Sequence, residues 1–142
     1  MDDTFDGPHL GCAWAHAALG RYDHALADIA VAEDASARAQ TPPFNIFGFK
    51  IQLLARMGRY REAELVVAES SRLAEEAEMT LTLTYNPLHS SIMALDRGQL
   101  SAAIDSATRV VEAPERDKVD WFGNLVAHFL AGVAEARLGQ FT

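Results

Sequence analysis

A short turn sequence recurs along this chain and limits what the chain can fold into. Leu-Gly-Arg-Tyr at residues 19–22 is matched at residues 57–60, 97–100 and 138–141, and the four glycines lie 38, 40 and 41 residues apart. Glycine adopts a positive φ without the steric penalty of a Cβ, and a residue in this conformation commonly ends a helix. The repetition therefore predicts a series of helix–turn–helix units, the last of them cut short.

The residues on either side of each glycine fit a close crossing of two helices. Two positions after the glycine the residue is apolar and should fill the gap between the helices: Tyr22, Tyr60, Leu100 and Phe141. Five positions after it, each complete copy has an alanine that would let the helices approach closely: Ala25, Ala63 and Ala103. Seven positions before it the residue is again small, except in the second copy: Ala13, Ile51, Ser91 and Gly132.

This pattern resembles the tetratricopeptide repeat (TPR), over the stretch from about Leu10 to Phe141. The first copy matches the family's consensus best, and its matching residues are Gly20, Tyr22, Ala25, Ile29 and Ala32. The later copies keep part of that set: Gly58, Tyr60, Ala63 and Val67, then Gly98, Leu100, Ala103 and Ala107. The copies are longer than the family's 34 residues, and they lack its early Trp and its closing Pro at the matching positions. Longer repeats of this kind are similar to the helical arms of large bacterial signalling ATPases and LuxR-type regulators.

The resemblance implies an all-α fold, a right-handed superhelix of antiparallel helix pairs with about seven helices. We expect one domain over residues 1–142, a fragment of a longer protein, with repeats at about 6–40, 43–79, 83–116 and 119–142, the last truncated. Residues 79–86 are ambiguous, because 80–84 alternate as a strand does. A lone strand has no partner in a helical repeat, so we expect a loop or a first helical turn here, with Asn86 and Pro87 starting the next helix. A helix that began near Thr80 would instead be kinked at Pro87.

The fourth copy has no second helix after its turn. A solenoid needs a polar capping element at each end, because an open end exposes a face of the core. The predicted last helix, from about Val119 to Leu138, is rich in apolar residues: Trp121, Phe122, Leu125, Val126, Phe129, Leu130 and Val133. The sequence therefore predicts that part of this surface is uncovered, and that the chain belongs to a longer array or pairs with another chain, for example as a homodimer.

Composition limits the kinds of partner. The formal net charge is −8 and the pI is about 5.0, which argues against nucleic-acid binding, because phosphate contact needs clustered Lys and Arg. The single cysteine, Cys12, cannot form an internal disulfide and predicts a cytoplasmic location; we expect it on the buried side of the first helix. The acidic N-terminus does not resemble a signal peptide, and no apolar run approaches the ~20 residues of a membrane span.

Catalytic and metal-binding patterns are absent from the sequence. It contains no phosphate-binding loop, no dinucleotide fingerprint and no nucleophile elbow. His9 and His16 could share a helix face, but they lie two turns apart and no histidine pair has one-turn spacing. We therefore predict no metal site, no cofactor and no enzymatic activity.

The resemblance also implies where a ligand would bind. In TPR arrays, side chains of the first helix of each pair line a concave surface that holds a peptide or ligand. The matching residues here are Trp14, Asn45, Gln52, Arg56, Tyr85, Ile92, Phe129 and Arg137. The set combines aromatic and hydrogen-bonding groups, as binding grooves do, and its two arginines would favour an acidic peptide end. Packing between repeats is the alternative role for several of these residues.

Two functions follow from this interpretation. The first is a non-catalytic interaction scaffold that binds a protein or peptide partner, as part of a larger regulatory protein. The alternative is a small-molecule sensor arm of a LuxR-type ATP-dependent transcriptional regulator. The ATPase and DNA-binding parts of such a regulator are absent from these 142 residues. An enclosed pocket near Trp14, Gln52 and Tyr85 would favour the sensor, and an open groove would favour the scaffold.

Overall fold

A computed structural model describes residues 7–112 and 121–139 of the chain, with the side chains of residues 121–124 left out. Within these ranges the chain forms seven α-helices and no strand, which confirms the predicted all-α class. The helices are α1 (Gly7–Ala18), α2 (Tyr22–Arg38), α3 (Phe44–Arg56), α4 (Tyr60–Glu76), α5 (Thr80–Asp96), α6 (Leu100–Val111) and α7 (Trp121–Leu138).

The recurring glycines end helices as the sequence predicts. Gly20, Gly58, Gly98 and Gly139 have φ angles of 72°, 72°, 71° and 74°. At the second turn the amide of Gly58 donates to the carbonyl of Ala55 and the amide of Arg59 donates to that of Leu54, both at 2.9 Å. This pair of bonds is the Schellman motif, and it also closes the turns at Gly20 and Gly98. A Cβ built on any of these glycines meets nothing within 4 Å, so backbone conformation, and not space, is what favours glycine here.

Helices α2 and α4 end with the same bonds but without glycine. Gln40 and Glu78 occupy the left-handed region, with φ angles of 54° and 53°. The amide of Gln40 donates to Ala37 and the amide of Glu78 donates to Glu75, at 3.2 and 3.3 Å. A non-glycine residue in this region costs roughly 1–2 kcal/mol. These two turns therefore carry backbone strain that the glycine turns avoid.

The chain divides into two compact units, Met1–Val66 and Val67–Thr142. The first unit has a core contributed by α1, α2 and α3: Ala13, Ala17, Ala25, Ile29, Ala32, Ile46, Phe49 and Leu53. Ala13 and Ala25 are fully buried, and Tyr22 packs against this core. The small residues before and after the first turn therefore both lie in this core, which agrees with the close crossing of α1 and α2 that the spacing predicts.

The second unit has a core contributed by α5, α6 and α7: Leu88, Ala94, Leu95, Ala103, Ala107, Val110, Ala127, Leu130 and Ala134. Ser91 and Ala103 are both completely buried, and the Ser91 hydroxyl donates to the carbonyl of Ala103 at 2.8 Å. The residues seven before and five after the third turn glycine are thus in direct contact, through a hydrogen bond between α5 and α6.

The expectation of a loop or a first helical turn at residues 79–86, with a new helix starting at Asn86, is wrong. The alternative, a helix that begins near Thr80, is confirmed, because α5 begins at Thr80 and contains Pro87. Asn86 does not cap a helix. It is 4% exposed, and its side-chain amide donates to the hydroxyls of Ser70 at 3.2 Å and Ser71 at 2.9 Å. A buried amide needs such partners, so this contact between α4 and α5 holds Asn86 inside the helix. The kink at Pro87 stays a prediction.

Cys12 is exposed, and the expectation that it is buried is wrong. Ala13 and Ala17 occupy the side of α1 that faces the core. Cys12 is one residue away from Ala13, and successive residues of a helix point about 100° apart. The helix phase therefore turns the thiol away from the core.

Candidate binding surfaces

An aromatic pair lies on the surface of the first unit. Trp14 of α1 stacks on Phe49 of α3, with ring centroids 4.1 Å apart and ring planes at 21°. Phe49 is 5% exposed and belongs to the core, whereas Trp14 is 49% exposed. The core thus fixes one ring, and that ring supports an indole that is half open to solvent.

Three predicted site residues accompany this pair along α3. Asn45, Gln52 and Arg56 are all exposed. They lie four residues before, three after and seven after Phe49, and such spacings place side chains on one side of a helix. We call the set of Trp14, Phe49, Asn45, Gln52 and Arg56 the Trp14 surface. It combines a rigid aromatic group with amide and guanidinium groups.

Phe49 was not among the residues predicted from the sequence. Its position between Asn45 and Gln52 in the same stripe of α3 was the available signal. The stack itself joins residues of two different helices, so the residue pattern of a single helix does not predict it.

The other four predicted residues lie in the second unit. Tyr85 is half-buried and packs against the core of that unit, and Ile92, seven residues later on α5, is 40% exposed. Phe129 is 67% exposed on α7. The guanidinium of Arg137 donates to the carbonyl of Leu95 at 3.5 Å, near the C-terminal end of α5, where a positive charge is favourable. Arg137 thus contacts α5, in addition to any role in a groove.

Phe129 occupies a different position relative to its turn glycine from the other predicted residues. The other seven lie 13, 6 or 2 positions before a turn glycine, which puts them on one side of their helices: Asn45 and Tyr85, then Trp14, Gln52 and Ile92, then Arg56 and Arg137. Phe129 lies ten positions before Gly139. It therefore sits at the edge of that side of α7 and borders another exposed face of the same helix.

A histidine and carboxylate cluster in the first unit was missed by the sequence analysis. Nδ1 of His16 in α1 lies 2.8 Å from Oδ2 of Asp28 in α2, and the ring of His16 meets that of His24 edge-on at 5.3 Å. The one-turn spacing of His24 and Asp28 was the signal available. Within residues 7–112 and 121–139, no group of three or more His, Cys, Asp or Glu side chains is arranged to hold a metal ion. What the cluster does is link α1 to α2.

Charged side chains of the first unit and of α4 are engaged in ion pairs. Lys50 donates to both carboxylate oxygens of Glu33 at 2.7 and 2.9 Å, which links α3 to α2. On the exposed side of α4, Arg72 binds Glu69 and Glu76 within the helix. Lys50 and Glu33 thus join two helices, whereas Arg72 and its two partners stay within one exposed helix, where solvent screens such pairs.

A surface depression of about 500 Å³ lies beside the third turn. It is lined by Gly98, Gln99, Leu100, Ser101, Ala102 and Leu138. None of these six described residues has a side chain that is ionised near neutral pH.

Comparison of the chain with known protein families, with curated proteins and with solved structures found no match.

In the part of the chain that the structure describes, no helix combines the length and apolar character needed to cross a membrane. The surfaces themselves therefore carry the functional argument.

Proposed function

We propose that this chain is a non-catalytic interaction module that binds a protein or peptide partner through the Trp14 surface. The observation that carries the proposal is the half-exposed Trp14 held against the buried Phe49. Tryptophan is among the residues that most often dominate binding energy at protein interfaces. A stacked indole is already ordered before binding, so less conformational entropy is lost when a partner covers it.

The polar residues of the Trp14 surface suit a peptide. Asn45 and Gln52 carry amides that both donate and accept hydrogen bonds, as an extended peptide backbone requires. Arg56, at the end of the same stripe, offers a fork of donors that fits a carboxylate. We therefore expect the partner segment to present an apolar side chain to Trp14 and an acidic group, either a side chain or a C-terminus, to Arg56.

The exposure of this surface favours the scaffold over a small-molecule sensor. Pockets for small molecules enclose most of the ligand surface. Trp14 is 49% exposed, and its polar neighbours Asn45, Gln52 and Arg56 are exposed too. An open surface of this kind suits contact with a peptide or a folded partner better than enclosure of a metabolite.

We also infer that the helix pairs belong to a TPR-like array wound as a right-handed superhelix, in a larger cytoplasmic regulatory protein. Two regularities support the repeat. The turn glycines share one φ within a few degrees, and the alanines five positions later are fully buried in all three complete copies: Ala25, Ala63 and Ala103. Small-angle X-ray scattering of the chain tests the array, because an array of helix pairs is more elongated than a globule of equal mass.

A peptide selection tests the function. Phage-displayed random peptides are selected on the wild-type chain, and each enriched peptide is synthesised and titrated by calorimetry. We expect Trp14→Ala to weaken binding by about thirtyfold, which corresponds to the ~2 kcal/mol of an interface hot spot. Trp14→Phe should lose less, because a ring can still stack on Phe49.

The matched control is Leu65→Ser, which removes a large exposed side chain of α4 in the same unit. This variant should bind the peptides as the wild type does. No enrichment of peptides, or equal binding by the Trp14→Ala and wild-type chains, would contradict the proposal.

A further inference from the structure

The outer side of α7 carries an exposed apolar stripe. Leu125 is 55% exposed and Phe129 is 67% exposed, and Gly132 and Ala136 are exposed as well. Their spacings of four, three and four residues place them on one side of the helix, in the pattern of a coiled-coil seam. The buried residues Ala127, Leu130 and Ala134 lie on the opposite side, against α5 and α6. We call the four exposed residues the α7 stripe.

The equivalent positions of earlier helices are covered. Seven residues before the turn glycine, Ala13, Ile51 and Ser91 are at most 1% exposed, whereas Gly132 is exposed. For Ser91 the covering group is known, since its hydroxyl bonds to the carbonyl of Ala103 in α6. The α7 stripe is therefore the kind of surface that this chain elsewhere buries against a helix.

We propose that a second copy of this chain covers the α7 stripe, with the two α7 helices antiparallel. The stripe has its large residues in the N-terminal half, Leu125 and Phe129, and its small residues in the C-terminal half, Gly132 and Ala136. Antiparallel pairing places Leu125 opposite Ala136 of the second copy, and Phe129 opposite Gly132 of the second copy. Each large side chain then meets a small one, and the two-fold symmetry supplies every contact twice.

Gly132 has open space where a side chain would begin. A Cβ built on Gly132 meets no atom within 4 Å, so the position is open on its outer side. Parallel pairing would set Phe129 against Phe129 and leave a gap between the two glycines. Interfaces pack as densely as protein interiors, so the antiparallel arrangement is the one that fits.

The charges at the edge of the stripe agree with this orientation. His128 and Glu135 are exposed and lie seven residues apart along one edge. In an antiparallel pair, His128 of each chain faces the region of Glu135 of the other chain. A hydrogen-bonding imidazole thus faces a carboxylate on both sides of the axis, and such complementarity favours the antiparallel orientation.

The first test is the solution mass of the full 142-residue chain over a range of concentrations, by sedimentation. We expect a dimer that Phe129→Glu dissociates, with the dissociation constant raised by at least about thirtyfold, as for a hot-spot residue. The matched control is Leu65→Glu, because Leu65 is exposed to the same 67% in the other unit. The control variant should stay dimeric.

Gly132→Leu separates folding from association. A Cβ at this position meets no described atom within 4 Å, and leucine is a better helix former than glycine, so the monomer should be more stable. The same side chain fills the space that Phe129 of the second copy needs, so the dimer should weaken. A variant that melts higher and yet fails to dimerise is the expected combination.

Disulfide cross-linking tests the orientation in a Cys12→Ser background. Leu125→Cys and Ala136→Cys chains, mixed and oxidised, should cross-link to each other and only weakly to themselves, since a disulfide needs Cα atoms within about 7 Å. Self-linked Leu125→Cys chains would show a parallel pair and overturn the proposal. A chain that stays monomeric would overturn the proposal too, and so would a dimer that tolerates both Phe129→Glu and Gly132→Leu. Either result would mean that something other than a second α7 covers the stripe. The Trp14 surface lies on other helices, so peptide binding can fail or succeed independently.

Discussion

The hydroxyl of Ser91 donates a hydrogen bond to the backbone carbonyl of Ala103, and both residues are completely buried. Ser91 lies seven residues before Gly98 and Ala103 five residues after it. The bond therefore joins α5 to α6 on either side of the third turn. It makes the third repeat a sensitive place to test the packing.

Loss of the Ser91 hydroxyl should destabilise the second unit. Ser91→Ala removes the bond to the Ala103 carbonyl, which still has its own helix as a partner, so the free energy of unfolding should fall by about 1 kcal/mol. Ser101→Ala, which removes an exposed hydroxyl at the start of α6, should change it by less than about 0.5 kcal/mol. Urea denaturation followed by circular dichroism measures both. Equal effects would show that the bond across the crossing contributes nothing specific.

The close crossing should reject a large side chain. Ala103 is completely buried, and Ala103→Trp should destabilise the fold by about 1–3 kcal/mol or more because the helices must separate. Ala63→Trp should do the same at the second turn, where Ala63 is equally buried. Ala102→Trp is the matched control, since Ala102 neighbours Ala103 in sequence and is exposed. Thermal melts that leave both buried variants unchanged would refute the repeat register.

Replacing a turn glycine by alanine should lower the free energy of unfolding, whereas the same replacement within a helix should raise it. Gly98→Ala puts a Cβ on a residue at φ 71°, so unfolding free energy should fall by roughly 1–2 kcal/mol. Gly11→Ala, in the interior of α1 and with open space around it, should raise it by roughly 0.5–1 kcal/mol. Chemical denaturation of the two variants should therefore shift the midpoint in opposite directions.

The two turns without glycine offer the reverse experiment. Glu78 occupies φ 53°, and Glu78→Gly should raise the free energy of unfolding by up to about 1 kcal/mol, because the strain of a left-handed residue is removed. Glu75→Gly, within α4, should lower it by about as much, since glycine is a poor helix former. A loss of stability in both variants would show that the Glu78 side chain matters more than its backbone.

His89 should make the fold less stable in mild acid. Burial lowers the pKa of His89 below its ordinary value, so the unfolded chain binds a proton at this position more readily than the folded chain. The part of the free energy of unfolding that depends on a neutral His89 is fully present above about pH 6.5, the pKa of an unperturbed histidine. It is lost as the pH falls toward the lower pKa of His89 in the folded state.

The His89→Gln variant isolates this effect. Urea denaturation at several pH values between about 5 and 7.5 should show a smaller loss of stability in the variant than in the wild type. Hydrogen bonds from Arg59 and Arg72 lower the pKa of Glu62 and Glu69, but carboxylates titrate near pH 4, below this window. Identical pH profiles of the variant and the wild type would show that His89 is not the group responsible.

Local chemistry explains what the sequence predicted well. The turns depend on glycine conformation, and the crossings depend on small residues at fixed distances from it, so Gly58 and Ala63 could be recognised without a fold. The prediction that part of the apolar surface of the last helix is uncovered is confirmed, since Leu125 and Phe129 are exposed whereas Leu130 is buried on the other side of α7.

Tertiary contacts explain what the sequence missed. The alternation at residues 80–84 and the Asn86–Pro87 pair both resemble the boundary of a helix. The buried bonds from Asn86 to Ser70 and Ser71 outweigh that local signal. In the same way, the stack of Trp14 on Phe49 and the contact of His16 with Asp28 join residues of different helices. The groove as a continuous surface stays a prediction.

The central claim is that the Trp14 surface binds a peptide partner, and chemical-shift mapping tests it most directly. The amide and side-chain resonances of ¹⁵N-labelled protein are followed while a selected peptide is added. We predict the largest shifts at the indole of Trp14, the side-chain amides of Asn45 and Gln52, and the guanidinium of Arg56. Shifts confined to other parts of the chain, such as the neighbourhood of Leu65 or the α7 stripe, would contradict the account.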